Sequence, residues 1–312
     1  MVAIREAFGK ALLQLGENNK DVVVLDADLA SSTKTTYFAE KFPERFFQCG
    51  IAEQNMIGVA AGLASCGKIP FVASFAVFVT KRPADQISIS VAYPRLNVKI
   101  IGAYTGLFNG KTGASHAAVE DISIMRAIPE MVIIDPADAA EMKSVVNVIA
   151  NYDGPVYMRE TRDEWPDVFD DGYCFEIGKA SVVRPGDDAS IISSGVMTSE
   201  AIKASQSLLE EGINVRVINM ATIKPIDSNA IIKAAEETGA IVTAENHNIY
   251  GGLGSAVAEV LVENHPVPMQ RIGIKDVLNE AGTNQELLDK FDMSYKYIME
   301  AVKNVIARKK IK

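Results

Sequence analysis

The chain has 312 residues, 48% of them hydrophobic and 23% charged, and a formal net charge of -9, a composition that fits a folded globular protein too long for one average domain. With basic residues clustered only at the short end Arg308-Lys309-Lys310, it excludes a nucleic-acid footprint, and no apolar run reaches the length of a membrane span. Cys49, Cys66 and Cys174 are odd in number and lack metal-ligand spacing, which excludes a closed disulfide framework and, with no signal-peptide core near Met1, predicts a cytoplasmic protein.

Ile4, Phe8, Leu12 and Leu15 recur at helical spacing and predict a helix over residues 3–15, stopped by Gly16. Residues 22–25 are continuously apolar, the pattern of a strand buried on both faces, so Asp28 and Ser32 fall beyond its carboxyl end. A short strand then ends at Gly50, and the small-residue run from Gly58 to Ala64 predicts a helix that begins near Glu53. Ligands of open α/β sheets bind at such strand-to-helix turns. A carboxylate in a first helical turn is also favoured by roughly 0.3–1 kcal/mol without any chemistry.

The rhythm repeats with a strand over 69–73 and a helix toward Tyr93 that Pro83 should break near Thr80. Phe75 and Phe78 share one face of that helix start, as core residues commonly do. A strand over 98–101 leads to the glycine-bearing loop 104–116, which includes Tyr104 and Thr112 and ends at His116; loops of this length are usually functional, although a single loop histidine is more often a surface residue. A helix over 119–127, a strand over 131–134, a helix over 137–150 and a strand over 155–158 complete about six β-α repeats, with Arg159 and Arg162 after the last strand.

A polar stretch around Trp165 and Asp170 then places a domain boundary near residue 175, dividing the chain into 1–175 and 176–312. The second part alternates strands at 189–192, 215–218, 241–243 and 270–274 with helices at 199–211 and 227–238, another opening at Gly251-Gly252-Leu253-Gly254, and one C-terminal helix from 285 to about 306. The glycine run lacks the spacing of a dinucleotide loop and reads as close backbone packing or an interface; His247 and His265 read as structural.

Taken together, Gly50-Ile51-Ala52-Glu53-Gln54-Asn55, the Ser-Phe-x-x-Phe segment at 74–78, Gly113-x-Ser115-His116 with Glu120-Asp121-Ile122, Pro136-Ala137-Asp138, and Glu245 with the 251–254 glycines resemble the C-terminal half of a thiamine diphosphate-dependent transketolase. The resemblance spans the chain and implies an α/β fold of two doubly wound domains: a parallel-sheet pyrimidine-binding domain followed by a transketolase C-terminal-like domain. It implies that Glu53 hydrogen-bonds a ring nitrogen of the cofactor's aminopyrimidine, favouring the imino tautomer that generates the nucleophilic carbanion. It implies that Phe78 stacks on the pyrimidine with Phe75 beside it, and that Asp28 lies close to the cofactor. Arg5, Ser32 and Arg159 match positions that hold a sugar phosphate, and His116 the histidine at the substrate's hydroxyl and carbonyl end.

The family's Gly-Asp-Gly and Asn-Asn motif for the metal-bound diphosphate does not occur here. The resemblance therefore implies a separate N-terminal subunit that holds Mg2+ or Ca2+ with the diphosphate, and a heterotetramer with two copies of each chain. Thr112 stands where many relatives have an aspartate that reads a donor hydroxyl, and Tyr104 where many have a phosphate-binding histidine, so a branched, deoxy or otherwise unusual ketose is an alternative to ordinary pentose phosphates. The chain is less similar to the beta subunit of a 2-oxoacid dehydrogenase, which shares the two domains and the activating glutamate, or to a fragment of a deoxyxylulose-phosphate synthase. A non-catalytic paralogue is disfavoured by the presence of Glu53, Phe78 and His116 together.

Overall fold

Strands that are apolar at every position need cover on both faces. In the computed structural model, which describes residues 2–309, helices provide it. Lys310, part of the basic end, lies outside the described residues. The first half runs α1 (Ile4–Asn18), β1 (Val22–Asp26), α2 (Ala30–Thr33), α3 (Thr36–Lys41), β2 (Phe46–Gln48), α4 (Glu53–Ser65), β3 (Ile69–Phe75), α5 (Ala76–Lys81), α6 (Ala84–Gln86), β4 (Lys99–Ala103), α7 (Asp121–Arg126), β5 (Val132–Ile134), α8 (Ala139–Ala150) and β6 (Val156–Glu160). The second runs β7 (Ser181–Arg184), β8 (Ala189–Ser193), α9 (Met197–Glu210), β9 (Val215–Asn219), β10 (Thr222–Lys224), α10 (Ser228–Thr238), β11 (Ile241–Asn248), α11 (Leu253–Asn264), β12 (Met269–Ile274), α12 (Asn284–Lys290) and α13 (Tyr295–Lys309).

The first sheet has seven strands in the order β10-β5-β6-β4-β3-β1-β2, parallel except for β10. The second has five in the order β12-β11-β8-β9-β7, parallel except for β7. Every residue of β1, β4, β6 and β8 is buried, including polar and charged ones such as Asp26, Lys99, Arg159 and Ser190 that hydrogen-bond inside the fold. Two doubly wound α/β units are thus present, and a strand from the second, β10, returns to the edge of the first sheet.

Four local expectations change. Gly16 does not stop α1, because it is a packing residue: a Cβ there would lie 2.4 Å from the Phe38 ring. The break in the helix after β3 falls at Pro83, between α5 and α6, and a π-helical segment follows at Ile87–Ala92. The edge strands β7 and β10 are too short to show periodicity, and both pair antiparallel. The C-terminal helix is two helices, α12 opened by a capping box at Thr283 and Glu286, then α13 after a break at 291–294.

The halves meet through buried polar groups. Asn246, on β11, accepts from the Leu107 N–H at 2.9 Å and donates to the Thr105 carbonyl at 3.3 Å. Asn219 donates to both oxygens of Glu141 at 2.8 and 3.1 Å. Trp165, from the polar connecting stretch, is buried against Phe108 with ring centroids 4.9 Å apart. The Asn246 contacts hold the 104–116 loop against the second domain.

Candidate active site

Parallel β1, β2, β3, β4 and β6 send their carboxyl ends to one edge of the first sheet, so the loops leaving them meet there. Gln48 ties two of these ends together: its side-chain oxygen accepts from the backbone N–H of Asp28 at 2.7 Å and of Gly50 at 3.1 Å. Gly50 turns the chain into α4 with a φ of 69°. Asp28 and Tyr104 adopt the same left-handed backbone, φ 64° and 61°, a conformation that costs non-glycine residues on the order of 1–3 kcal/mol and gathers at functional edges.

Glu53 begins α4 and is only 3% exposed. Its Oε1 accepts a hydrogen bond from Arg82 Nη1 at 2.7 Å, and the Arg82 guanidinium carbon lies 4.0 Å from the centroid of the Phe78 ring. A cleft of about 660 Å³ opens in front, lined by residues 51–55 and Arg82. Phe75 and Phe78 lie 6.0 Å apart, and His116 stands edge-on to them at 5.7 and 5.4 Å. Ser115 Oγ is 2.9 Å from His116 Nδ1, while Asn109 Nδ2 donates to the His116 carbonyl at 2.6 Å. An acidic group, two aromatic rings and a held imidazole therefore gather in one recess beside the cleft, linked to it through Arg82.

Tyr104 extends the recess toward positive charge. It packs 4.3 Å from Phe75, and its hydroxyl accepts from Arg5 Nη1 at 2.7 Å. The guanidinium carbons of Arg5 and Arg162 lie 5.7 and 5.3 Å from its ring centroid. Arg162 also donates to the Asn109 carbonyl at 3.1 Å, which Thr112 Oγ1 reaches at 2.9 Å. Thr112 is exposed. Ser32, half-buried in α2, and the exposed Asp28 lie at the same sheet edge after β1.

Arg159 is not part of this arrangement. β6 continues through Glu160, so Arg159 is a strand residue rather than a loop residue, and it is 1% exposed. Its guanidinium donates to Asp121 at 2.8 and 3.2 Å, to Asp135 at 3.0 Å and to the Asn246 carbonyl at 3.0 Å. An anion could reach it only by breaking that network. The cation that borders the recess is Arg162, three residues later and past the strand end, and the signal for it was the position of that end. Arg82 also borders the recess without having stood out in the sequence; its sole clue was the break of the helix at Pro83.

The 251–254 glycines lie elsewhere and pack closely: Glu245 accepts from the N–H groups of Leu253 and Gly254 at 2.7 and 2.8 Å, and a Cβ on Gly252 would lie 2.0 Å from its carboxylate. His247 is fully buried. Among the described residues, no cluster of acidic, histidine or cysteine side chains could hold a metal ion, and no helix is long and apolar enough to cross a membrane.

Residues 1–167 match the family described as transketolase, pyrimidine binding domain, and residues 178–298 match transketolase, C-terminal domain. The 6-deoxy-6-sulfo-D-fructose transketolase subunit SqwH of Clostridium sp. (strain MSTE9) is 42% identical over 98% of this chain and 95% of its own length. An apulose-4-phosphate transketolase subunit of Phocaeicola vulgatus is 42% identical over 92% of each chain. A solved structure described as a split gene transketolase, inactive beta4 tetramer, superposes with a TM-score of 0.91 at 47% identity over 99% of both chains. A pyrimidine-binding domain of this kind implies thiamine diphosphate as cofactor. The chain belongs to the transketolase family of transferases, as a C-terminal subunit made of the pyrimidine-binding and C-terminal domains.

Proposed function

We propose that this chain supplies the pyrimidine half of a split transketolase site, moving a two-carbon ketol unit between sugars that carry a terminal anion. The observation that carries the reading is the recess itself, in which the nearly buried Glu53 and the Phe78 ring both meet the Arg82 guanidinium beside a cleft and His116 stands edge-on to Phe75 and Phe78. That donor set fits an aminopyrimidine: one carboxyl group for a ring nitrogen and one aromatic face for a planar ring. The seat already holds a planar N–H-bearing group, the Arg82 guanidinium, in both contacts.

Thiamine diphosphate, when bound, supplies the nucleophilic carbon. This chain's residues orient and exclude. Glu53 holds the pyrimidine ring nitrogen, Phe78 and Phe75 keep water from the ring, and Asp28 borders it from the β1 turn. His116, fixed through its carbonyl by Asn109 and beside Ser115, is placed to hydrogen-bond the donor's hydroxyl and carbonyl end. Arg5 and Arg162 flanking Tyr104, with Ser32 at the same edge, form the anion end of the recess. A terminal phosphate or sulfonate suits two guanidinium groups equally well, and the two relatives' names carry a sulfonated and a phosphorylated ketose respectively. Thr112 and Tyr104 make an unusual ketose the second reading, because Thr112 lacks the charge that an aspartate would offer a donor hydroxyl.

The diphosphate and its Mg2+ or Ca2+ belong, in this proposal, to an N-terminal partner subunit, and the working enzyme is a cytoplasmic heterotetramer. Purified alone, the chain should neither retain thiamine diphosphate nor transfer ketol units. Co-expression with an N-terminal transketolase subunit should restore both, read by calorimetry and by coupled ketol-transfer assays with xylulose 5-phosphate, fructose 6-phosphate and 6-deoxy-6-sulfofructose. Full activity from the chain alone would sink the split-enzyme reading.

A further inference from the structure

Arg82 makes, inside this chain, the two contacts that the proposed roles of Glu53 and Phe78 reserve for the aminopyrimidine. Its Nη1 donates to Glu53 Oε1 at 2.7 Å, and its guanidinium carbon sits 4.0 Å from the Phe78 centroid. A guanidinium is a planar cation with N–H groups on its edge, able to stack on an aromatic ring and to donate to a carboxylate at once. An aminopyrimidine is planar too and meets Glu53 through an edge nitrogen. Phe75 and His116 already pack against Phe78 at 6.0 and 5.4 Å, and Arg82 also lines the cleft, so the two planar groups compete for one seat.

The exposures differ in a telling way. The Arg82 side chain is 44% exposed whereas that of Glu53 is 3% exposed. Arg82 can therefore leave into water at little cost, while Glu53 cannot follow and needs a partner where it stands. We propose that Arg82 is a displaceable stand-in for the cofactor's aminopyrimidine: it caps Glu53 and covers Phe78 in the unloaded chain and swings out when the pyrimidine enters. The inference rests on the reading of Glu53 and Phe78 as the pyrimidine seat. Its consequence is that only the fraction of chains with Arg82 displaced can bind, and the apparent affinity for the cofactor is lowered by that fraction.

The test is a titration of the full-length chain with 4-amino-5-hydroxymethyl-2-methylpyrimidine, followed by NMR chemical shifts, in the parent, Arg82→Ala, Glu53→Gln and the double variant. Arg82→Gln keeps the reach without the charge and serves if the alanine variant proves unstable in a thermal melt. We expect Arg82→Ala to bind the fragment about three- to thirty-fold more tightly than the parent, and the gain to vanish in the double variant. Weaker binding by Arg82→Ala and Arg82→Gln would overturn the proposal by making Arg82 a ligand. Equal binding by parent and Arg82 variants, lost on Glu53→Gln, would also overturn it while leaving the pyrimidine seat intact. Binding that is absent or indifferent to Glu53 in every chain would overturn both.

Discussion

Two arginines three positions apart have opposite fates because one lies inside β6 and the other beyond it. Arg159 is enclosed by Asp121 and Asp135, and removing it strands both carboxylates in a buried setting. Arg159→Met should destabilise the fold by about 3–5 kcal/mol, read as a lower urea midpoint, whatever the substrate. Arg162 is half-buried beside Tyr104 and leaves no buried charge behind, because the Asn109 carbonyl it bonds also accepts from Thr112 Oγ1. In the assembled enzyme, Arg162→Ala should keep the parent's urea midpoint and lose roughly one to two decades of kcat/KM on anionic donors, the worth of one charge-assisted bond. A neutral ketose such as erythrulose should scarcely respond. Equal losses on charged and neutral donors would remove Arg162 from the anion end.

Helices here use glycine in two ways that the sequence alone does not separate. Gly16 in α1 is buried against Phe38, whereas at Gly58 and Gly62 in α4 a Cβ would meet nothing within 4 Å beyond its chain neighbours and the helix's own backbone. A helix-interior glycine costs about 0.5–1 kcal/mol relative to alanine, so Gly58→Ala and Gly62→Ala should each raise the melting temperature of the isolated chain. Gly16→Ala should lower it, since overpacking costs about 1–3 kcal/mol and the Phe38 ring lies within 2.4 Å of the new methyl. Differential scanning fluorimetry on the three variants checks the signs. The extension of β11 to Asn248 is likewise an element-level effect: its last residues are polar but buried, held by partners on the first domain and by the start of α11.

The two domains join through a set of buried ionisable groups, and these should shape how stability depends on pH. Burial pushes His247 down to about 4; its Nδ1 donates to the Asn248 carbonyl at 2.6 Å, with Asp121, Glu245 and Arg159 around it. The unfolded chain protonates this histidine below about 6.5, the folded chain only below about 4. Its contribution is therefore fully present above pH 6.5 and is lost on acidification toward pH 4, on the order of 3 kcal/mol in all. Glu141 acts in the opposite sense: burial pushes it up to about 8, so it stays protonated when folded but ionises above about 4.5 when unfolded, and stability falls as pH rises between those values. Urea melts at pH 4.5, 6.5 and 8 should show His247→Gln losing less than the parent at the acid end. Glu141→Gln should gain on the parent toward pH 8. Parallel curves for parent and variants would show that neither group titrates with folding.

The apolar runs at 22–25 and 131–134, and the mostly apolar ones at 98–101 and 189–192, determined by themselves that both sheets would be mainly parallel and covered on two faces, because strand burial is written locally in period and composition. Glycines and small residues after strand ends likewise marked the turns where Glu53, Phe75, Phe78, Tyr104 and His116 would gather, since parallel strands carry their carboxyl ends to one edge. The antiparallel edges β7 and β10, the division of the last helix and the choice between Arg159 and Arg162 were decided only by tertiary structure. Each depends on partners distant in the chain: β5 and β9 for the edge strands, Asp121 and Asp135 for the arginine. Arg82 belongs with these, because nothing local distinguishes an arginine after a helix break from any other surface cation until folding sets its side chain on Phe78 and against the carboxylate of Glu53.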